Sequence, residues 1–543
     1  MKQNIMGKLK SLPTFIKENI IAIVVAVIIG RFGYCIIDDH FDVTNKVAKL
    51  MGYFFVFLFI VMMSYVYLHR AGIKDRLHKL YLFVGVIVGT MFLIMIPIFC
   101  VPDEIFHFKD AYHVSNEMLG IHDPDEDTLT MRECDTKMKM NKTEYGNPIV
   151  YAKYIRSIFS GIVSHETDLV VTDTGKNYGQ DYLYIIPAIG LTLARLLHLG
   201  STQMFLLGRF FNLLFFVACM SYAIKKTPVG KLGFFGIGLL PIVLQQAASL
   251  SYDVMINALA IVTVAVSLAL LDEESASKMK IRDYVVYTLA IGFLIPTKGH
   301  AYMLFALLPI WILLKNWWKM RKAGLAKVFA KGSLCRKLLF VLCGVVAINL
   351  IVFVVQKTIG SSGPAATIFA PHMIEWCDQE GYYVDVLMEN PDLRFQIIYK
   401  TFAIYFDEYW AETFGNALGW MNIEVPPTLI YIWFLLMAVL FMKRKQEKML
   451  TTGWDKVILC LIFVLTVGFV LAGMLFGWTP MVYNYVLGAQ GRYFIPVLAL
   501  PLLLMRTAKI EIDEEYDGDL CFWSLALTAL IVIFVFVSHD VKL

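Results

Sequence analysis

Long apolar runs separated by short polar segments are the dominant pattern along the chain. Most runs have about 17 to 22 residues, the length that a helix needs to cross the hydrocarbon core of a bilayer. They lack the apolar–polar alternation of barrel strands, and backbone groups in lipid must be paired internally, so helices are predicted. The runs predicted to span lie near residues 18–37, 49–68, 80–100, 203–224, 232–250, 254–271, 284–296, 300–314, 337–356, 428–442, 456–476, 493–505 and 520–538.

One further apolar run, residues 182–199, does not fit a spanning helix. Basic loops are expected on the cytoplasmic side, together with the basic N-terminus. Counting spans inward from these loops requires residues 182–199 to begin and end on the same side. This run also contains Pro187, Arg195 and His198, so we predict that it is interfacial or re-entrant. The basic loops used for the count are 69–79, 315–337 and 443–448.

The same count predicts an all-α polytopic membrane protein with about 13 transmembrane helices. The two long polar segments, near 101–202 and 357–427, both fall outside, and the first is expected to carry interfacial helices. The predicted organisation is N-terminal transmembrane helices in 1–100, a first extracytoplasmic loop in 101–202, central transmembrane helices in 203–356, a second extracytoplasmic loop in 357–427, and C-terminal transmembrane helices in 428–543.

Composition agrees with this class. The chain is 58% hydrophobic and 17% charged, with a mean hydropathy of +0.64, which is more apolar surface than a soluble domain of this size can bury. The net charge of +4 is too small to indicate a nucleic-acid partner. Nine cysteines show no CxxC or metal-binding spacing, so no thiol-based metal or redox site is predicted.

Charged residues collect at the predicted outer ends of the helices. Ionisable residues at the membrane rim are candidates for function by default. Carboxylates and cations that converge beside lipid indicate chemistry on an amphiphilic, anionic substrate. These residues are Asp103, Glu104, His107, Asp253, Lys298 and Arg492.

The stretch from Cys100 to Asp110 places three carboxylates and a histidine directly after an apolar run. Pro102 suits the first position of a helix, which would put Asp103 and Glu104 in its first turn. Either acid is then a candidate general base at the membrane surface. A well-capped interfacial helix with solvated acids is the plainer alternative. His107 is expected to orient the acid or contact substrate, with an ordinary interfacial histidine as the alternative.

These residues resemble a known group of enzymes. An acidic pair that opens a large first outer loop resembles the GT-C superfamily of membrane glycosyltransferases, including protein O-mannosyltransferases. More closely, the chain from about 100 to 505 is similar to a family of bacterial membrane proteins known as domain of unknown function 2142, which is grouped with GT-C. Five segments carry the resemblance: Val101 to Tyr112, Leu244 to Asp253, Thr297 to Tyr302, Phe414 to Pro426, and Gln490 to Pro496.

Two features depart from the GT-C pattern. Two predicted helices precede the one that leads into the first outer loop, where GT-C folds usually have one. Asn422 stands where an acid is expected, so no role is carried over to it.

The resemblance implies a transferase that takes a sugar from a polyprenyl-phosphate donor outside the membrane of a bacterium. Asp103 or Glu104 would be the base, while Lys298 and Arg492 would hold the lipid phosphate. For both cations, snorkelling at a helix end is the alternative. Asp253 would hold the sugar or pair with a cation. His107, Gln490 and Tyr493 complete the expected substrate-binding set.

A single base without a covalent intermediate favours inversion of the anomeric centre. No cofactor is predicted; a divalent ion held by Asp103, Glu104 and Asp253 is the less favoured alternative. The acceptor is expected to be a surface polysaccharide, with a glycolipid or a protein as alternatives. A transporter or flippase of lipid-linked saccharides is the main rival function, although no inverted internal repeat supports it. A ligase that transfers a whole glycan from a lipid diphosphate is a further rival.

Overall fold

Helices make up most of the protein, as the apolar runs predict. The computed structural model describes residues 12–41, 46–125, 127–138, 148–173, 180–330, 332–358 and 368–538. Its α-helices are α1 Leu12–His40, α2 Lys46–Leu68, α3 Ile73–Met95, α4 Glu104–Leu119, α5 Glu133–Thr136, α6 Pro148–Phe159, α7 Ile185–Leu196, α8 Ser201–Lys226, α9 Lys231–Ile237, α10 Pro241–Ala247, α11 Asp253–Leu271, α12 Glu273–Ser277, α13 Ile281–Leu294, α14 Leu307–Met320, α15 Leu325–Val328, α16 Leu334–Thr358, α17 Val384–Glu389, α18 Pro391–Phe414, α19 Pro427–Phe441, α20 Trp454–Trp478, α21 Ala499–Leu504 and α22 Asp517–Val537.

Short 3₁₀ helices and small strand pairs complete the secondary structure. The 3₁₀ helices are Asp181–Leu183, Thr297–His300, Met303–Ala306, Arg321–Ala323, Gly491–Val497 and Glu514–Tyr516. The strands are β1 Leu129–Arg132, β2 Leu169–Thr172, β3 Met373–Ile374, β4 Gln379–Glu380, β5 Ala417–Leu418, β6 Ile423–Glu424, β7 Lys443–Arg444 and β8 Glu511–Ile512. They form two-stranded pairs in sequence order; β7 and β8 are parallel and the other pairs are antiparallel.

Eight helices in the described part of the chain are long and apolar enough to cross a membrane. They support a multi-pass membrane protein, while the count of thirteen spans stays a prediction. The eight segments are Asn19–His40, Lys46–Leu68, Ile73–Met95, Ser201–Lys226, Asp253–Leu271, Leu334–Val355, Trp454–Trp478 and Glu514–Val537.

The other five predicted spans fold as short or interrupted helices. The run 232–250 forms two seven-residue helices, α9 and α10, with Pro241 at the start of the second. The run 493–505 is split into a 3₁₀ helix that contains Pro496 and the six-residue α21. Proline interrupts the helical hydrogen-bond ladder, which accounts for the breaks near these residues. The run 182–199 contains the twelve-residue α7, and its interfacial or re-entrant placement stays a prediction.

Helix α11 lies at the centre of the protein and extends from one end of the helical bundle to the other. Of its apolar window, 83% is buried, the largest share among the eight candidate spans. Its first residue is Asp253, and Asp272 directly after its last turn lies 3.5 Å from Lys448 of a basic loop. A 19-residue helix is about 28 Å long. Asp253 and this basic loop are therefore at opposite ends of the bundle.

Candidate functional site

Asp103 lies just before helix α4 rather than inside its first turn. The helix begins at Glu104, and Asp103 is its N-cap with φ 61°, in the left-handed region. The prediction that Pro102 begins the helix is therefore wrong. The carboxylate forms no capping hydrogen bond with the helix, because its Oδ2 accepts a hydrogen bond from Nη2 of Arg492 at 2.7 Å. The side chain of Asp103 keeps 34% of its surface exposed.

Arg492 is buried, and the polypeptide around it is closely packed. Its Nη1 donates to the carbonyl oxygen of Pro102 at 3.4 Å, so the guanidinium contacts both the backbone and the side chain of the same short segment. The preceding residue, Gly491, lies against helix α18. A Cβ atom at this position would come within 2.5 Å of the backbone nitrogen of Thr413. Only glycine allows this approach.

Asp253 and Lys298 extend the ion pair into a continuous set of alternating charges. Nζ of Lys298 lies 2.7 Å from Oδ1 of Asp253. Oδ2 of the same carboxylate lies 4.0 Å from Nε of Arg492. We call Asp103, Arg492, Asp253 and Lys298 the four-charge cluster; its formal net charge is zero. The breaks in the helices bring these side chains together at one end of the bundle.

Aromatic rings surround the Lys298 end of the cluster. Lys298 has φ 45° and lies in the break between α13 and α14. Its Nζ is 3.8 Å from the centre of the Tyr493 ring and 5.4 Å from that of Tyr252. Cations favour the face of an aromatic ring. The hydroxyl of Tyr302 donates to the carbonyl oxygen of Tyr493 at 2.9 Å and fixes this segment.

His107 is buried beside the cluster. Its Nδ1 lies 2.8 Å from the hydroxyl oxygen of Tyr184, and its ring packs edge-on against Tyr252 at 5.0 Å. Burial lowers the pKa of His107 to about 3, against the opposing influence of nearby Asp253 and Asp103. The imidazole is therefore neutral at pH 7, where it is a hydrogen-bonding group rather than a charge.

Glu104 has surroundings that differ from those of Asp103. It is fully buried, and both of its oxygens accept hydrogen bonds from Arg209, at 2.8 Å from Nε and 2.6 Å from Nη2. The backbone N–H of Leu250 donates to Oε1 at 3.2 Å. Arg209 also donates to the carbonyl oxygens of Ile96 and Pro97. This pair connects the end of α3, the start of α4 and α8.

Sequence reasoning did not identify Arg209. The signal was present, because it is the one arginine in the apolar run 203–224, and an ionisable residue within such a run usually has a partner.

A cleft adjoins the four-charge cluster on the Arg492 side. It has about 330 Å³ of space, including its open mouth. The sequence predicted Gln490 and Arg492 at the site but missed Gln246 and Glu412. The lining residues are Val101, Pro102, Ile242, Gln245, Gln246, Glu412, Ala417, Gly419, Met421, Gln490 and Arg492.

Hydrogen bonds join the segments around this cleft. The side chain of Gln245 and the backbone of Gly419 bond to each other, at 2.6 Å and 3.3 Å. The backbone N–H of Gly491 donates to Oε2 of Glu412 at 2.6 Å. All five segments singled out in the sequence therefore contribute to one continuous region. Asn422 is exposed and does not line the cleft; its Oδ1 accepts from the backbone N–H of Trp420.

A possible group of metal ligands lies in the first polar segment. Ligand atoms of His113, Glu117 and Asp181 lie within 4.8 Å of one another. None of the three belongs to the predicted site, and His113 is already paired with Asp123 through Nδ1 at 2.6 Å. In the four-charge cluster, by contrast, Asp103 is paired with Arg492 and Asp253 with Lys298.

Comparison with known proteins identifies the family. Residues 83–501 match the model of a family described as "Predicted membrane protein (DUF2142)". Comparisons with curated proteins and with solved structures each find no match. The family match covers more than three quarters of the 543 residues and includes the four-charge cluster, His107 and the cleft. The chain therefore belongs to the DUF2142 family of predicted membrane proteins.

Proposed function

We propose that the protein is an integral-membrane glycosyltransferase that moves a sugar from a polyprenyl-phosphate donor to an acceptor hydroxyl. One observation carries the proposal: a partly exposed carboxylate, Asp103, contacts a buried cation, Arg492, at the edge of a cleft. Glycosyl transfer from a lipid phosphate needs both a base and a cation that stabilises the leaving phosphate. The resemblance to GT-C enzymes supports the same reaction.

Asp103 is proposed as the base, in preference to Glu104. Both oxygens of Glu104 are held by Arg209 in a fully buried pair, so an acceptor hydroxyl has no access to them. Asp103 retains exposed surface and one oxygen, Oδ1, that does not face Arg492 in the ion pair. In the proposed reaction, Asp103 takes the hydroxyl proton as the acceptor oxygen bonds to the anomeric carbon. The bond between that carbon and the phosphate oxygen breaks, and the configuration inverts.

Arg492 and Lys298 are proposed to bind the donor phosphate. The phosphodiester of such a donor carries one negative charge. Arg492, Lys298 and Asp253 together have a formal charge of +1 once Asp103 leaves the ion pair. A phosphodiester that replaces Asp103 at Arg492 therefore balances the charge of the site. The same replacement frees the carboxylate for the acceptor, so donor binding would activate the base.

The site is proposed to face the outside of a bacterial plasma membrane, with a surface glycan as the favoured acceptor. Asp253 and the basic loop containing Lys448 are at opposite ends of α11. Basic loops favour the cytoplasmic side, which supports an outward-facing site. A glycolipid or a protein acceptor fits the same chemistry.

A reconstitution experiment tests the function. The protein is placed in lipid nanodiscs with short-chain polyprenyl-phosphoryl sugars, and mass spectrometry follows the release of polyprenyl phosphate. Turnover that Arg492→Met abolishes, while the protein remains folded, is the expected result. An absence of turnover, combined with protein-dependent movement of a lipid-linked saccharide across liposomes, would replace this proposal with the transporter.

A further inference from the structure

Two buried side-chain nitrogens on the cleft, Nε2 of Gln246 and Nε of Arg492, have no hydrogen-bond partner among the described residues. Gln246 is 1% exposed, and its Nε2 has no hydrogen-bond partner in the described part of the chain. Its Oε1 accepts from Nδ2 of Asn257 at 2.7 Å, which fixes the amide. Buried polar groups in native proteins are nearly always hydrogen-bonded. An orphaned, positioned donor on a cleft wall therefore indicates a ligand.

Glu412 provides an acceptor on the same cleft. Its Oε2 is held by the backbone N–H of Gly491 at 2.6 Å, so the side chain is fixed in place. Within the described residues, no hydrogen bond occupies its second oxygen, Oε1. Gln490 adds an amide that is half-buried at the cleft. The cleft thus presents donors and acceptors from three separate segments of the chain.

Apolar side chains also line the cleft. Val101, Pro102, Ile242 and Met421 face the same space. The cleft is partly open, and its volume of about 330 Å³ includes space outside the walls. A sugar ring has the complementary chemistry, because its hydroxyls both donate and accept hydrogen bonds while its C–H groups pack against apolar surface.

We infer that this cleft binds the sugar ring of the donor, with Gln246 and Glu412 hydrogen-bonding its hydroxyls. The inference rests on the proposed function and adds the position of the sugar. Arg492 forms one wall of the cleft and is the proposed phosphate ligand. The group attached to that phosphate must lie next to it, and this cleft adjoins Arg492. Lys298, which contacts Asp253 and Tyr493, would hold the phosphate from the other side.

Binding measurements with matched probes test the assignment. The sugar probes are farnesyl-phosphoryl glucose, mannose and galactose. The sugar-free probe is farnesyl methyl phosphate, a phosphodiester with the same charge and lipid chain. Affinities are measured in nanodiscs for the wild type, Gln246→Glu and Glu412→Gln. Gln246→Glu keeps an acceptor for Asn257 but removes the orphaned donor, and Glu412→Gln keeps an acceptor for the N–H of Gly491.

We expect the wild type to bind at least one sugar probe more tightly than the sugar-free probe. Each variant should weaken that binding by about 5- to 30-fold, as expected for a buried hydrogen bond that is lost. Gln246→Glu adds a negative charge near Arg492 and Glu412→Gln removes one. The loss of about 5- to 30-fold is therefore measured relative to the affinity of the same variant for farnesyl methyl phosphate, because the charge change acts on both kinds of probe. Gln203→Met is the matched control, because the Gln203 amide lies outside the cleft lining and donates to backbone oxygens of Ser157, Ile158 and Ser160.

Other outcomes overturn the assignment. Equal losses of affinity for both kinds of probe would show that the cleft does not bind the sugar. The glycosyltransferase proposal would stand in that case if turnover is still observed. A wild type that binds no sugar probe more tightly than farnesyl methyl phosphate would also exclude the sugar from the cleft. If turnover is absent as well, the proposed function fails together with the inference.

Discussion

The carboxylate of Asp103 and the guanidinium of Arg492 form an ion pair at 2.7 Å across 389 positions of the sequence. The pair places the proposed base and the proposed phosphate ligand in direct contact. Asp103 thus occupies the side of Arg492 that a phosphodiester would take. The two roles are coupled, because donor binding must break this pair before the base can act.

Asp103→Asn should separate the two roles. Turnover should fall by roughly 10²- to 10⁴-fold, the usual effect of losing a general base. Binding of farnesyl methyl phosphate should be equal or tighter, because Arg492 is no longer neutralised by a carboxylate. Mass spectrometry of the released lipid phosphate gives the first quantity, and direct binding in nanodiscs gives the second.

Asp407→Asn is the matched control for this substitution, since Asp407 is an exposed acid on helix α18. It should leave both quantities within about 2-fold of the wild type, as surface substitutions usually do. If Asp103→Asn retains wild-type turnover, Asp103 is only a structural partner of Arg492.

Glu104 and Arg209 should behave as a structural pair. Glu104→Gln leaves the buried guanidinium uncompensated and should cost about 3–5 kcal/mol of stability. The double variant Glu104→Leu/Arg209→Met removes both charges and should recover part of that loss. The recovery is partial because the carbonyl oxygens of Ile96 and Pro97 lose their donor. Thermal unfolding in detergent of the wild type, Glu104→Leu, Arg209→Met and the double variant completes a double-mutant cycle.

Turnover of the folded double variant then distinguishes the two acids. A structural Glu104 predicts activity that returns with stability. Activity that stays lost in a stable double variant would instead make Glu104 the base.

The sequence was sufficient to locate the charges of the site. The apolar runs place Asp103, Asp253, Lys298 and Arg492 at helix ends, where a bilayer tolerates ionisable groups. The count of spans from the basic loops puts them at one end of the bundle, and they do meet there. These inferences depend on the lengths of the apolar runs and on the positions of the charged residues between them. Both can be taken from a single sequence.

The contacts within the candidate site could not be predicted from the sequence. The pairing of Glu104 with Arg209 spans 105 positions and depends on how α3, α4 and α8 pack. Helical periodicity assigns Asp103 and Glu104 to neighbouring positions of one turn, whereas the left-handed backbone at Asp103 directs the two carboxylates to different partners. The broken helices α9 and α10 likewise bring Gln246 to the cleft, although their residues form a single apolar run in the sequence.

Gly491→Ala should disturb the position of Arg492. The added Cβ would lie 2.5 Å from the backbone nitrogen of Thr413 and 2.6 Å from the carbonyl oxygen of Tyr409. Backbone atoms cannot move aside as a flexible side chain can, so the segment that contains Arg492 must shift. We expect at least 10-fold weaker binding of farnesyl methyl phosphate, because ligand contacts depend on placement at this scale.

Gly468→Ala provides the comparison for this substitution. A Cβ at Gly468 in α20 meets no atom within 4 Å, and alanine favours a helix over glycine by about 1 kcal/mol. This variant should bind the probe like the wild type and be equally stable or slightly more stable. Unchanged probe binding in Gly491→Ala would show that the close contact does not position Arg492.

His107 should make the protein sensitive to acid. Its folded-state pKa is about 3, below the value near 6.5 expected for an unfolded chain. Between these values the unfolded state binds a proton that the folded state does not. The contribution of His107 to stability is therefore intact above about pH 6.5 and is lost as the pH falls, by at most about 1.4 kcal/mol per pH unit. Melting temperatures of the wild type and His107→Gln at pH 7.5 and 4.5 measure the effect.

The wild type should lose more thermal stability than His107→Gln on acidification, by a few degrees. The charged groups that influence His107 are Asp253, Asp103, Arg492 and Lys298, and they are present in both proteins. Their own titration therefore largely cancels when the two pH-dependent losses are subtracted. Equal losses in the two proteins would mean that the pKa of His107 does not differ between the folded and unfolded states. Because the imidazole stays neutral above about pH 5, any change in turnover between pH 5 and 8 must come from another group.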